Sequence, residues 1–155
     1  MYFLYCVPTW ELWYLCTHPT YLFNARSLVK NLADFHLFVS MYNPAVICVC
    51  ETWLHGQLTD AYVCPSDYTV FRKDRLNRGG GGVATFVRKD IHAEVVSFDL
   101  GNCDIDIDVI GIDLTFDTQK IRVIVCYRPP YYTTEDVKYI ERLLTTRWKA
   151  RPTDG

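Results

Sequence analysis

The chain has 155 residues, enough for one domain, and its composition is half hydrophobic and 15% aromatic, which excludes an intrinsically disordered polypeptide. The formal net charge of −2 excludes a molecule-wide basic bias toward nucleic acid. No apolar stretch reaches the roughly 20 residues a membrane-spanning helix needs, because Pro8, Glu11, His18 and Pro19 interrupt the aromatic first segment, and no basic start precedes it as in a cleavable signal.

Residues 1–19 show no clear period and are read as an extension without an assigned element. Thr20 to Phe23 is a short β-like run ending at Asn24. From Ser27 to Tyr42 the spacing is helical, with Leu28, Leu32, Phe35 and Val39 on one face, Ser27 as N-cap and Asn43-Pro44 as the stop. Ala45 to Cys50 is a continuous apolar run, as in a central strand covered on both faces, and it ends in Glu51. Tyr68–Arg72 and Val83–Arg88 read as strands of a hairpin around a loop with four consecutive glycines, and Ala93–Phe98 as a further strand. In Asp104–Leu114 the apolar parity switches next to Gly111, which predicts either a bulge or burial of both faces. Lys120 to Tyr127 is another apolar strand, stopped by Arg128-Pro129-Pro130. Thr133 to Trp148 is helical, with Thr133 or Thr134 as N-cap and two acids in the first turn, and the tail is frayed.

Charge is segregated. Phe71–Lys89 holds six basic residues against one acid, whereas Asp99–Gln119 holds six acids and no base. The first stretch could present a positive patch to a phosphate backbone, or be an ordinary solvated face. The seven cysteines are scattered, several inside apolar strands, and read as buried thiols of a reducing compartment. Cys48 and Cys50 share one strand face, and no second pair at metal-binding spacing accompanies them.

Three polar residues follow apolar strands, where open α/β sheets bind ligands. Glu51 offers a carboxylate to Mg²⁺, or is an exposed loop glutamate. Asn24, with Arg26 two residues on, orients a metal or a phosphate, or simply caps a turn. Tyr127 and Arg128 can both donate to phosphate, or form a rigid surface turn. Glycines 79–82, after Arg78, let backbone amides approach a phosphate but do not make a Walker A motif. Asp104, Asp106 and Asp108 alternate on one strand face, which reads as a solvated face before a cation site.

Four blocks in this order, FNARSL (23–28), NPAVICVCETWL (43–54), YTVFRKDRLNRGGGGVATFVRKDI (68–91) and IRVIVCYRPP (121–130), resemble the endonuclease domain of non-LTR retrotransposons, a branch of the DNase I-like endonuclease/exonuclease/phosphatase superfamily. The resemblance spans about residues 20–146, with 1–19 and 147–155 outside it. It implies an α/β fold, a partial four-layered sandwich of two β-sheets flanked by helices with the C-terminal part missing, and divalent-metal hydrolysis of phosphate esters. By the resemblance Glu51 is the metal-binding glutamate, Asn24 the asparagine closing the first strand, and Tyr127 the tyrosine that contacts the phosphate. Arg26, Arg78 and Arg128 are candidate substrate contacts, Arg78 within a glycine block whose role is structural. The resemblance also implies Mg²⁺ as cofactor, DNA as partner and an intracellular or nuclear setting.

The chain departs from the pattern after Tyr127, where no Asp-x-Asn, no Ser-Asp-His and no histidine follows. The sequence therefore predicts an endonuclease-like domain inactive by itself, with an uncovered apolar sheet face that favours self-association. The alternative is a non-catalytic remnant that binds nucleic acid or protein through the basic 72–89 stretch.

Overall fold

The computed structural model describes residues 2–6, 18–75, 79–96, 108–117, 119–127 and 133–146. Among the described residues two four-stranded sheets carry the fold. One has the order β2 (Thr20–Asn24), β3 (Val46–Cys50), β5 (Val83–Arg88), β4 (Tyr68–Lys73); the other has β1 (Tyr2–Cys6), β8 (Gln119–Tyr127), β7 (Asp108–Phe116), β6 (His92–Val96). Among the described residues the helices are α1 (Leu32–Tyr42), the single-turn α2 (Asp60–Val63) and α3 (Thr134–Thr146).

The first sheet begins as the sequence predicts. β2 and β3 run parallel, with Asn24 opposite Cys50, and α1 makes the crossover between them. All of β3 is buried, which its unbroken apolar run requires. Alternation then sorts its residues: Val46, Cys48 and Cys50 face the other sheet, while Ile47 and Val49 face Phe35 and Val39 of α1. β4 and β5 form the expected antiparallel hairpin.

The two sheets stack on a shared core in which Val46, Val83 and Val87 meet Ile112, Leu114, Ile121 and Val125. β7 pairs with β8 without interruption from Asp108 to Phe116, so the parity switch at Gly111 marks burial of both faces and no bulge. Ile110, Ile112 and Leu114 point into the inter-sheet core, and Val109 is buried on the opposite face.

Three expectations change. The helix starts at Leu32, five residues after Ser27, because Arg26 and Ser27 have φ of +43° and +86° and cannot enter a right-handed helix. Asn31 stands at its N-terminus and makes no side-chain cap. A strand precedes Thr20: β1 pairs antiparallel with β8, from Tyr2 opposite Tyr127 to Cys6 opposite Val123. Finally, a bare apolar sheet face is not present among the described residues. Their exposed large apolar side chains are Leu37, Met41 and Tyr42 on α1, Trp53, Tyr62 and, on a strand, Val95.

At α3 the cap is resolved in Thr133. Its hydroxyl accepts the Asp136 N–H at 3.2 Å, and its own N–H donates to Asp136 Oδ2 at 2.7 Å, a reciprocal capping box. None of the helices among the described residues is long and apolar enough to cross a membrane.

Candidate active site

Parallel pairing places the C-terminal ends of β2 and β3 side by side, and the chain beyond them stays in register. Ala25 N–H donates to Cys50 O at 2.9 Å, Ser27 N–H to Glu51 O at 3.0 Å and Leu28 N–H to Thr52 O at 2.9 Å. On its other side the same segment meets the glycine loop, with Trp53 N–H donating to Gly81 O at 3.0 Å and Thr52 N–H to Gly82 O at 3.3 Å. Residues 51–53 thus form the middle of a three-stranded rim.

That rim is strained. Glu51 and Trp53 have φ of +52° and +55°, beside Arg26, Ser27 and Gly80, Gly81 and Gly82, all left-handed. Non-glycine residues in that region cost about 1–3 kcal/mol each and persist where the surroundings hold them, characteristically at functional sites. Gly82 (φ +78°) needs its missing side chain as well, since a Cβ would stand 2.7 Å from Thr52 Oγ1.

Asn24 and Glu51 are in direct contact: Asn24 Nδ2 donates to Glu51 Oε1 at 2.8 Å. Arg26 N–H donates to Asn24 Oδ1 at 3.0 Å, which fixes the amide with its nitrogen toward the carboxylate. The oxygen expected to orient a metal is therefore turned to the backbone, and the amide acts on Glu51. Glu51 is half-buried, and its Oε2 accepts no hydrogen bond among the described residues.

A second cluster stands at the other sheet's end of the same edge. Asp108 opens β7, opposite Tyr127 at the close of β8. Its carboxylate is 1% exposed and takes both Arg75 and the Gly82 N–H, the latter at 3.1 Å. Arg75 lies over the Tyr127 ring, 5.9 Å from guanidinium carbon to ring centroid. Tyr127 is itself buried in the inter-sheet core with Cys50 and Val83. Its link to the Glu51 rim runs through Arg75, Asp108, Gly82 and Thr52, each step a contact given above.

Asp108 corrects the reading of the alternating aspartates as a solvated face; Asp104 and Asp106 lie outside the described residues. The signal was in the sequence, because Asp108 shares parity with Ile110, Ile112 and Leu114, which form the core face. Arg75 was grouped with its basic neighbours and carried no mark of its own. Of the substrate candidates, Arg26 is exposed and has no ion-pair partner among the described residues, while Arg78 and Arg128 lie outside them.

The basic stretch is not a free positive face. Arg72 pairs with Asp60 at 3.2 Å and Asp74 at 3.4 Å and donates to Leu58 O. Arg75 is buried on Asp108. Arg88 binds Asp90 through two hydrogen bonds, of 2.7 and 3.0 Å, and Lys89 donates to Ser66 O.

The thiols follow their burial. Desolvation pushes Cys50 up to about 12, with Cys126, Glu51 and Asp108 adding to the effect, and burial pushes Cys126 up to about 12 as well. Both are neutral thiols at physiological pH, unsuited to nucleophilic or thiolate-ligand chemistry. No set of three or more His, Cys, Asp or Glu side chains converges among the described residues. A caged structural metal finds no donors there. Glu51 is a carboxylate anchored on one oxygen, the donor type that a hard cation keeping most of its waters could use.

The comparisons agree with this architecture. The model of the endonuclease/exonuclease/phosphatase family matches residues 15–155. Among solved structures the chain is similar to the AP endonuclease LMAP from Leishmania major, at 19% identity and a TM-score of 0.54, over 83% of this chain and 44% of that one. It is also similar to a humanized D. rerio TDP2 carrying 14 mutations, at 19% identity and a TM-score of 0.55, over 84% of this chain and 56% of that one. The chain thus spans about half the length of these structures, and no curated protein matches it. With a family match over nearly its whole length, two stacked sheets and the paired strand ends, this chain belongs to the endonuclease/exonuclease/phosphatase family.

Proposed function

We propose that this chain carries the metal-binding half of a Mg²⁺-dependent phosphodiester-hydrolysing site that acts on DNA, of the kind found in non-LTR retrotransposon endonucleases. The single observation that carries the reading is the 2.8 Å bond from Asn24 to Glu51 at the ends of two adjacent parallel strands. It holds one carboxylate oxygen and leaves the other open at the edge where such sheets bind ligands. Mg²⁺ there would polarise a phosphate oxygen and stabilise the leaving oxygen.

The protein's own residues have separate tasks. Glu51 supplies the anionic ligand. Asn24 fixes its rotamer, as outer partners of a metal ligand do, and such partners are worth about 10–100-fold in metal affinity. Arg26, exposed beside them, meets substrate phosphate. Tyr127, buried under Arg75, supports the rim through Arg75 and Asp108, and a direct phosphate contact by its phenol remains what the resemblance implies.

The histidine base that the resemblance implies is not found in residues 128–155. Its loss typically costs about 10²–10⁴-fold, so turnover by this chain alone should be at or near background. Nicking of supercoiled plasmid DNA in Mg²⁺ tests this. Robust nicking that vanishes in Glu51→Ala would overturn the expectation of inactivity while supporting the site. Robust nicking that survives Glu51→Ala would remove the reading itself. The alternative of a binding remnant working through residues 72–89 has less support, because Arg72, Arg75, Arg88 and Lys89 are engaged within the fold.

A further inference from the structure

Trp53 has no task in the site as described so far, and its placement is unusual. It is 39% exposed on the rim, two residues beyond Glu51, so the two Cα atoms are at most about 7 Å apart. Its backbone is held in the left-handed region (φ +55°) by the bond from its N–H to Gly81 O at 3.0 Å. A bulky aromatic residue is a poor occupant of that region, where glycine or asparagine would sit without strain.

The ring is positioned as well as exposed. Its edge lies against the backbone of Gly80, where a Cβ would come only into ordinary contact, 3.4 Å from Trp53 Nε1. Over its face stands the Lys30 ammonium, 5.7 Å from the centroid. Lys30 is delivered there by the turn after β2, which the bonds from Ser27 and Leu28 fasten to Glu51 and Thr52. An exposed indole and an exposed ammonium therefore share one edge with the candidate metal ligand. The cation stands 5.7 Å from the ring centroid on an exposed side chain, within reach of a phosphate beside a base on that ring.

We propose that Trp53 is a stacking platform for a nucleobase next to the phosphate addressed by Glu51, with Lys30 contacting the neighbouring phosphate. The inference rests on the phosphodiester reading above and narrows its substrate to a nucleic acid that presents an unstacked base. A base inside a duplex has no free face, so the platform takes single-stranded, flipped or terminal nucleotides. A phosphate monoester without a base has nothing for the indole to meet.

The test is fluorescence anisotropy of labelled octathymidylate with the full chain in EDTA, where the metal plays no part. Base–aromatic stacking predicts binding weakened on the order of tenfold by Trp53→Ala and largely kept by Trp53→Phe. Replacing the bases by abasic tetrahydrofuran units, with all phosphates kept, weakens wild-type binding and leaves Trp53→Ala unchanged. That comparison needs no variant to fold in order to be read on the wild type. Lys30→Ala lowers the salt slope by about 0.7, the value for one phosphate contact on a single strand. Equal binding of the normal and abasic strands by the wild type, or no binding of octathymidylate, overturns the platform. Metal binding at Glu51, measured separately without nucleic acid, stands or falls independently of these outcomes.

Discussion

Glu51 and Asp108 are carboxylates at the same edge of the sandwich, one on each sheet, and their surroundings give them opposite work. Glu51 is half-buried, holds one hydrogen bond from Asn24 and keeps an oxygen open. Asp108 is 1% exposed, and Arg75 and the Gly82 N–H take up its carboxylate. A buried carboxylate is tolerable only when paired and hydrogen-bonded, and once so engaged it has little left for a ligand. The difference teaches that placement at a strand end does not make a binding group. The number of lone pairs left unclaimed does. Asp108 instead ties the glycine loop to the second sheet, which fixes the rim from which Glu51 projects.

The comparison breaks most visibly on the Asp108 side. Asp108→Ala removes the carboxylate that Arg75, 6% exposed at its side chain, binds inside the fold. A loss of about 3–5 kcal/mol is expected from the urea unfolding midpoint. The double replacement Arg75→Met with Asp108→Leu should recover most of it, because the penalty lies in removing one charge of a buried pair and keeping the other. A loss under about 1 kcal/mol in the single variant would show that the pair does not hold the sheets.

Alkaline pH probes the buried ground beneath the two carboxylates through its thiols, since Glu51 and Asp108 both act on Cys50 and Asp108 acts on Cys126. Cys50 and Cys126 keep their protons in the folded state up to about 12, whereas the unfolded chain releases them from the ordinary 9.0. The unfolded state thus binds fewer protons between these values, so stability falls as pH rises through that window. The slope is at most about 1.4 kcal/mol per pH unit for each thiol. Denaturation at about pH 8 and about pH 10 should differ by about 3 kcal/mol, and Cys126→Ala should flatten the dependence. A pH-independent midpoint would contradict the burial assigned to these groups.

The smallest effect belongs to the surface. Arg88 pairs with Asp90, whose side chain is 62% exposed, and Arg88→Ala should cost no more than about 1 kcal/mol. Octathymidylate binding should stay within about twofold of wild type in Arg88→Ala, since Arg88 is already turned inward to Asn43 O. A large loss of binding there would restore the basic stretch as the nucleic-acid face.

The sequence carried the ordered framework well for physical reasons. A run such as Val46–Cys50 has few ways to be buried on both faces, and an alternating hairpin around glycines has few pairings. Asn24 and Glu51 were legible because each polar residue directly ends an apolar strand. Asp108 was hidden by Asp104 and Asp106, whose alternation resembles a wet face, although its parity matched the core. Arg75 was hidden by its basic neighbours: charge composition does not say which cation turns inward. The late start of α1 was masked because Leu28 does join the apolar cluster under the sheet, but from a left-handed turn and not from a helix.

The open oxygen of Glu51 is best examined with Mn²⁺, a paramagnetic substitute for Mg²⁺, by counting free and bound ion by electron paramagnetic resonance in the absence of nucleic acid. The account predicts one bound ion on the wild type, at least about tenfold weaker binding in Glu51→Gln and in Asn24→Ala, and unchanged binding per folded molecule in Asp108→Asn. Equal affinity in wild type and Glu51→Gln would contradict it.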